Sequence, residues 1–318
     1  MIQGQRGSLL ANRVALVATV ALTACDGAAF GAPATVGAEG GGGEAGAGGA
    51  GSREAAASSG SSGEGGSAGG AGEGGAGDGG GGGGGALSWE PVETDWCSDG
   101  WIGLDEHTCF HVPQTAARGA PILYVLHGMM APDSLPVGLQ EIAAEAADAL
   151  GVVAVFPRGQ PGLCAWDPSV EPYLCWPTRR ETVDAAAPAL VAEWMRAESL
   201  LARVLGAAFG GRYVMGFSNG GYFSSYVALE GLVEVDGAGL VGAGRQVIEE
   251  HLFSQARPPI YIAVGERELA STIASAENLA DVLTQHGWEH ALVTHPGRGH
   301  EIHADDFALA WQTWTAAP

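Results

Sequence analysis

The chain has 318 residues, 46% of them hydrophobic and 16% charged, with 53 glycines. All 14 basic residues are arginine and the net charge is -22, so the surface repels phosphate backbones and anionic lipid headgroups. Nucleic acid is therefore not an expected partner.

Arg6 and Arg13 precede and open an apolar run, Val14 to Leu22, too short for a membrane span but of the length of an export signal's core. The run ends in Leu22-Thr23-Ala24-Cys25, which resembles a bacterial lipobox. Residues 1–25 are thus expected to be a lipoprotein signal peptide, with Cys25 acylated as the mature N-terminus. Acyl chains would hold the protein on the cell envelope, its only contact with a membrane. Positions 27–85 contain 28 glycines, and from Gly37 to Gly85 no side chain is more apolar than alanine. Such a stretch cannot bury enough surface to offset its ordering entropy, so residues 26–88 read as a disordered tether. As a random coil it reaches roughly 40–50 Å. Residues 89–318 remain as one domain, expected to be monomeric. Export would place them in an oxidising compartment, where four further cysteines favour disulfides. Cys97–Cys109 and Cys164–Cys175 are the local pairings; neither has the C-x-x-C spacing of a zinc site.

Within the domain, short antiparallel strands are expected near His107–Val112, extending one sheet edge. Ile122–Leu126 is an unbroken apolar run, as in a strand buried on both faces. Pro136–Leu150 has helical spacing and ends before Gly151. Val152–Phe156 reads as a strand, and Asp184–Ala208 as a helical region broken or kinked near Pro188. Tyr213–Phe217 (strand), Asn219–Glu230 (helix) and Val235–Val241 (strand) follow. Ile260–Val264, Ser271–His286, Ala291–Thr294 and Asp305–Trp314 continue the alternation. Alternation of this kind predicts an α/β fold, a mostly parallel sheet with helices on both faces. Ligands then bind beyond the carboxyl ends of the strands.

Those ends carry the chemistry. Gly216-Phe217-Ser218-Asn219-Gly220 is G-x-S-x-G between a strand and a helix, the pattern of a nucleophile elbow. A serine hydroxyl needs a base, and the base an orienting acid, in the chain order Ser, acid, His. His300 follows the last strand within Gly297-Arg298-Gly299-His300, with His303 as its neighbour rival. Glu266 and Glu268 both follow Val264, and Glu268 stands where such loops place the acid. Acyl transfer also needs two amides aimed at the developing oxyanion; Met129 and Asn219 are the candidates. His127 reads as a framework residue of the loop bearing Met129.

These residues make the chain resemble the α/β-hydrolase superfamily. The Leu126-His127-Gly128, Val155-Phe156-Pro157-Arg158-Gly159, Gly216-to-Gly221 and Gly299-His300 motifs are more narrowly similar to secreted polyhydroxybutyrate depolymerases and feruloyl/acetylxylan esterases. The resemblance implies a Ser-His-acid triad, an acyl-enzyme and no metal or organic cofactor. It also implies an ester substrate, polymeric or plant-polysaccharide derived. The group usually has Asp as triad acid, where this chain has Glu268 or Glu266.

The long segment from Arg158 to Arg180 carries Trp166, Tyr173 and Trp176 between and beside Cys164 and Cys175. Exposed, these rings would suit stacking on sugar or phenolic groups; buried, they would pack the loop onto the domain. Two other functional classes stay open. One is an inactive binding protein on a hydrolase fold. The other is a metal site from His290, His295, His300, His303 and Asp305, whose spacing fits no standard motif.

Overall fold

The computed structural model describes residues 89–164 and 167–316. The signal and tether expected over 1–88, with Cys25, and the substrate-loop candidate Trp166 lie outside the described residues.

In chain order the elements are β1 (Ile102–Gly103), β2 (Thr108–His111), β3 (Ile122–Leu126), α1 (Val137–Leu150), β4 (Val153–Pro157) and α2 (Arg180–Leu205). Then come β5 (Arg212–Phe217), α3 (Asn219–Glu230), β6 (Gly237–Val241), a single 3-10 turn (Glu250–Leu252), β7 (Ile260–Gly265), α4 (Ala270–Gln285), β8 (His290–His295) and α5 (Ala304–Thr315). The strands form one sheet in the order β1-β2-β4-β3-β5-β6-β7-β8. β1 and β2 are antiparallel additions at one edge, and every pair from β4 to β8 is parallel.

Alternation along β3 explains the layering. Ile122, Tyr124 and Leu126 face a core shared with α2, α3 and α4, while Leu123 and Val125 face α1 and α5. Each strand must therefore be apolar on both faces, which is why β3, β4, β6 and β7 read as continuous apolar runs. Register pairs Leu126 with Gly216, Phe217 with Val241 and Gly265 with His295, so the five loops after β3, β5, β6, β7 and β8 leave the sheet at the same end. Strand order, crossovers and this common end are those of the α/β-hydrolase fold. Among the described residues no helix is long and apolar enough to cross a membrane.

One element departs from expectation. α2 begins at Arg180 and runs unbroken through Pro188 to Leu205. The proline removes a single N–H within the third turn, and Ala187, Leu190 and Trp194 bury the same face on either side of it. Arg180 extends the start by pairing with Asp184 at 3.0 Å and with Glu230 at 2.6 Å. Both local disulfides are present, Cys97–Cys109 and Cys164–Cys175. The second lies in the segment between β4 and α2, which adds two antiparallel bridges, Met130–Leu174 and Gln160–Cys175.

Candidate active site

Ser218 stands alone between the end of β5 and the first turn of α3, at φ 52° and ψ -120°. A non-glycine residue is strained there, and the turn holds it by bonding Ser218 N–H to the Val241 carbonyl at 2.8 Å. The Tyr222 N–H donates to the Ser218 carbonyl at 3.0 Å, which starts the helix. Gly220 makes the turn fit: a Cβ there would lie 2.5 Å from the carbonyl oxygens of both Leu126 and His127. Only glycine lets α3 begin against the loop after β3.

The Ser218 hydroxyl lies 2.8 Å from His300 Nε2, and His300 Nδ1 lies 2.7 Å from Glu268 Oε2. Glu268 follows β7 and its side chain is wholly buried; His300 follows β8 and is 27% exposed. The second carboxylate oxygen, Oε1, accepts the Leu269 N–H at 2.9 Å. A carboxylate at Nδ1 keeps the proton on that nitrogen, leaving Nε2 free to accept the serine proton. Of the two acids considered, only Glu268 reaches the imidazole. Glu266 accepts the Gly297 N–H at 2.7 Å instead, and so braces the loop that carries His300. His303 caps α5 with its ring 3.2 Å from Glu301.

The loop after β3 closes on the serine from the other side. A Cβ on Gly128 would stand 3.2 Å from Ser218 Cβ, so Met129 follows immediately beside the nucleophile. Among the described residues neither the Met129 N–H nor the Asn219 N–H has a hydrogen-bond partner. Two free amides flanking a strained serine can receive an oxyanion. His127 is buried framework. Its Nε2 accepts the Gly159 N–H at 2.8 Å and its Nδ1–H donates to the Gly128 carbonyl at 2.5 Å. Burial pushes its imidazole down from 6.5 to about 4, so it stays neutral while it holds this loop.

The aromatic loop requires a correction. Trp176 is fully buried, stacked on Phe223 with centroids 5.9 Å apart and edge-on to Trp194. Its indole N–H donates to the His127 carbonyl at 2.9 Å. A ring with both faces in the core and its polar edge satisfied cannot stack on a substrate, so Trp176 packs the loop. Tyr173 and Met129 pack against Cys164, Val170 and Cys175.

Two groups escaped the sequence reading. The Asn219 side chain binds the Trp176 backbone twice: Oδ1 accepts its N–H at 2.7 Å and Nδ2–H donates to its carbonyl at 3.2 Å. No local pattern announces a partner 43 residues away. The second is Asp306, fully buried in the first turn of α5. It receives His295 at 2.7 Å, Arg298 and the Tyr261 hydroxyl at 3.3 Å each, and the His303 N–H at 2.8 Å. This cluster anchors both ends of the loop carrying His300. A carboxylate three residues inside a helix start, after a His-ended strand, was the available signal. The residues weighed as a metal set do not converge. His290 bonds the Trp288 carbonyl, His295 meets Asp306, His300 meets Ser218 and Glu268, and Asp305 pairs with Arg298.

No family model matches the chain, and no curated protein matches it. Among solved structures, esterase PE8 aligns at 18% identity and TM-score 0.46, over 62% of this chain and 93% of that one. A Bacillus cereus carboxylesterase aligns at 16% identity and TM-score 0.48, over 66% and 93%. A phospholipase/carboxylesterase from Dyadobacter fermentans aligns at 17% identity and TM-score 0.46, over 66% and 96%. Likeness at these identities concerns the fold alone.

Proposed function

We propose that this chain is an exported serine hydrolase of carboxylic esters that works through an acyl-enzyme. One observation carries the reading: a hydroxyl on a strained turn, joined through one imidazole to a buried carboxylate at 2.8 and 2.7 Å. In that reading Ser218 Oγ attacks the ester carbonyl while His300 Nε2 takes its proton. Glu268 holds the imidazole in place and stabilises its positive charge. The carbonyl oxygen becomes an oxyanion between the amides of Met129 and Asn219. Collapse breaks the C–O bond, and the imidazolium protonates the departing alcohol. Water, deprotonated by His300, then attacks the acyl-enzyme and releases the acid and a free Ser218.

The resemblance of the sequence motifs to those of depolymerases and of feruloyl and acetylxylan esterases directs the substrate list to polyhydroxyalkanoate, feruloyl and acetyl esters. No step of this chemistry calls on a metal or an organic cofactor. The two disulfides are compatible with a periplasmic or extracellular protein and so support export.

The test is fluorophosphonate labelling followed by peptide mapping, with a panel of p-nitrophenyl, feruloyl and hydroxybutyrate esters run beside it. A label on Ser218 with hydrolysis of at least one ester is the expected result. A folded protein that takes no label would instead be a binding protein on this scaffold.

A further inference from the structure

We propose that the Asn219 side chain is a positioning residue that sets the spacing of the two oxyanion amides through the Leu174–Trp176 segment. The proposal rests on the serine-hydrolase reading above and deepens it.

The two amides belong to separate elements. Met129 lies in the loop after β3, and Asn219 opens α3. To hold one oxygen, both must lie about 2.7–3.1 Å from it, so their separation must be fixed to a few tenths of an ångström. Direct bonding between the two elements does not supply this. Instead a three-residue splint touches both. Leu174 exchanges two backbone hydrogen bonds with Met130, at 3.1 and 2.8 Å, one residue past the Met129 amide. The Trp176 indole holds the His127 carbonyl at 2.9 Å, two residues before it. The Met129 amide is thereby clamped from both sides by one segment. The same segment packs on α3 through the Trp176–Phe223 stack, but it hydrogen-bonds to that helix only through Asn219, whose side-chain amide spends both ends on the Trp176 backbone at 2.7 and 3.2 Å.

Between these ties Cys175 exchanges backbone bonds with Gln160 at 2.9 and 3.1 Å and is linked to Cys164. The splint cannot slide without breaking these bonds. Asn219 and Trp176 are both buried, so truncating the amide leaves the Trp176 N–H and carbonyl without partners and frees one end of the splint. The Ser218–His300–Glu268 relay does not pass through this contact. Loss of the side chain should therefore weaken the transition state and leave ground-state binding nearly unchanged.

Asn219→Ala should lower kcat on a small acetyl ester by roughly tenfold or more per titrated active site, with KM within about twofold. Affinity for a trifluoromethyl ketone, whose adduct places an oxyanion between the amides, should fall by the same factor as kcat/KM. Asn219→Asp keeps the volume and the acceptor for the Trp176 N–H but sets an oxygen against its carbonyl. It should show the same kcat-selective loss, and it carries the test if the alanine variant does not fold. The proposal is overturned if kcat per titrated site stays within twofold of the parent in a folded variant. A loss confined to KM, or to the fraction of active protein, overturns it equally, as does failure of both variants to fold. Ser218→Ala runs alongside. Hydrolysis retained in that variant would defeat the serine-hydrolase reading itself. Hydrolysis lost there but intact in both Asn219 variants would defeat the splint alone.

Discussion

Ser218, His300 and Glu268 come from three loops and meet through two hydrogen bonds, and in the proposed reaction each depends on the other two. Ser218→Ala and His300→Ala should each leave the fold intact and reduce ester hydrolysis by several orders of magnitude, measured as kcat/KM. Glu268→Gln should cost far more than Glu266→Gln, because only the former carboxylate touches the imidazole. The reverse order would remove Glu268 from the relay. The neutral, buried His127 makes a different, pH-dependent prediction. Its folded value of about 4 lies below the ordinary 6.5, so the unfolded chain binds the extra proton first. Its contribution is complete above pH 6.5 and is lost as pH falls towards 4, by about 3 kcal/mol in all. Urea unfolding at pH 7, 5.5 and 4 measures this. His127→Asn should shrink the difference between the pH extremes by a comparable amount, and an unchanged difference would assign the acid loss to other groups.

Whole elements were legible where one physical cause dominates. β3 and α3 match their expected bounds, because an apolar run and a strand-turn-helix elbow are each specified within a dozen residues. The order Ser, acid, His was expected from the pattern of hydrolases with such an elbow, and Ser218, Glu268 and His300 meet in that order in the chain. The start of α2 was not. It depends on Arg180 reaching Glu230 at the far end of α3, a contact no local pattern encodes. The loop between β4 and α2 misled for a related reason. Tryptophan on a loop reads the same whether it faces substrate or core, and contacts distant in sequence, with Phe223, Trp194 and the His127 carbonyl, decide for Trp176. Replacing Cys164 and Cys175 by serine should therefore cost ~2–3 kcal/mol of stability. It should change the kinetics on large and small esters in the same proportion, since Trp176 faces the core rather than the substrate. A selective rise in KM for bulky aromatic esters would restore the substrate-platform reading.

For the molecule as a whole, residues 87–318 hold -18 of the net charge of -22. Such a surface is not drawn to anionic membranes by its charge. Acylation at Cys25, expected from the lipobox-like sequence, would supply an attachment of another kind. In a bacterial host with lipoprotein processing, labelled palmitate should enter the parent chain and not Cys25→Ala. The variant should also move from the membrane to the soluble fraction. Label retained without Cys25 would refute the lipobox reading.

The backbone at Ser218 has a consequence for what selection can reach. A side chain at φ 52° and ψ -120° costs of order 1–3 kcal/mol, and glycine alone escapes most of it. Ser218→Ala keeps the Cβ and so keeps the strain, whereas Ser218→Gly releases it. Differential unfolding of these two inactive variants should favour the glycine form by ~1 kcal/mol once its looser unfolded chain is allowed for. A population screened for thermal tolerance without a catalytic screen should therefore drift to glycine at position 218. That drift would trade the reactive hydroxyl for a relaxed turn, and its rate would report how much of the protein's margin the elbow consumes.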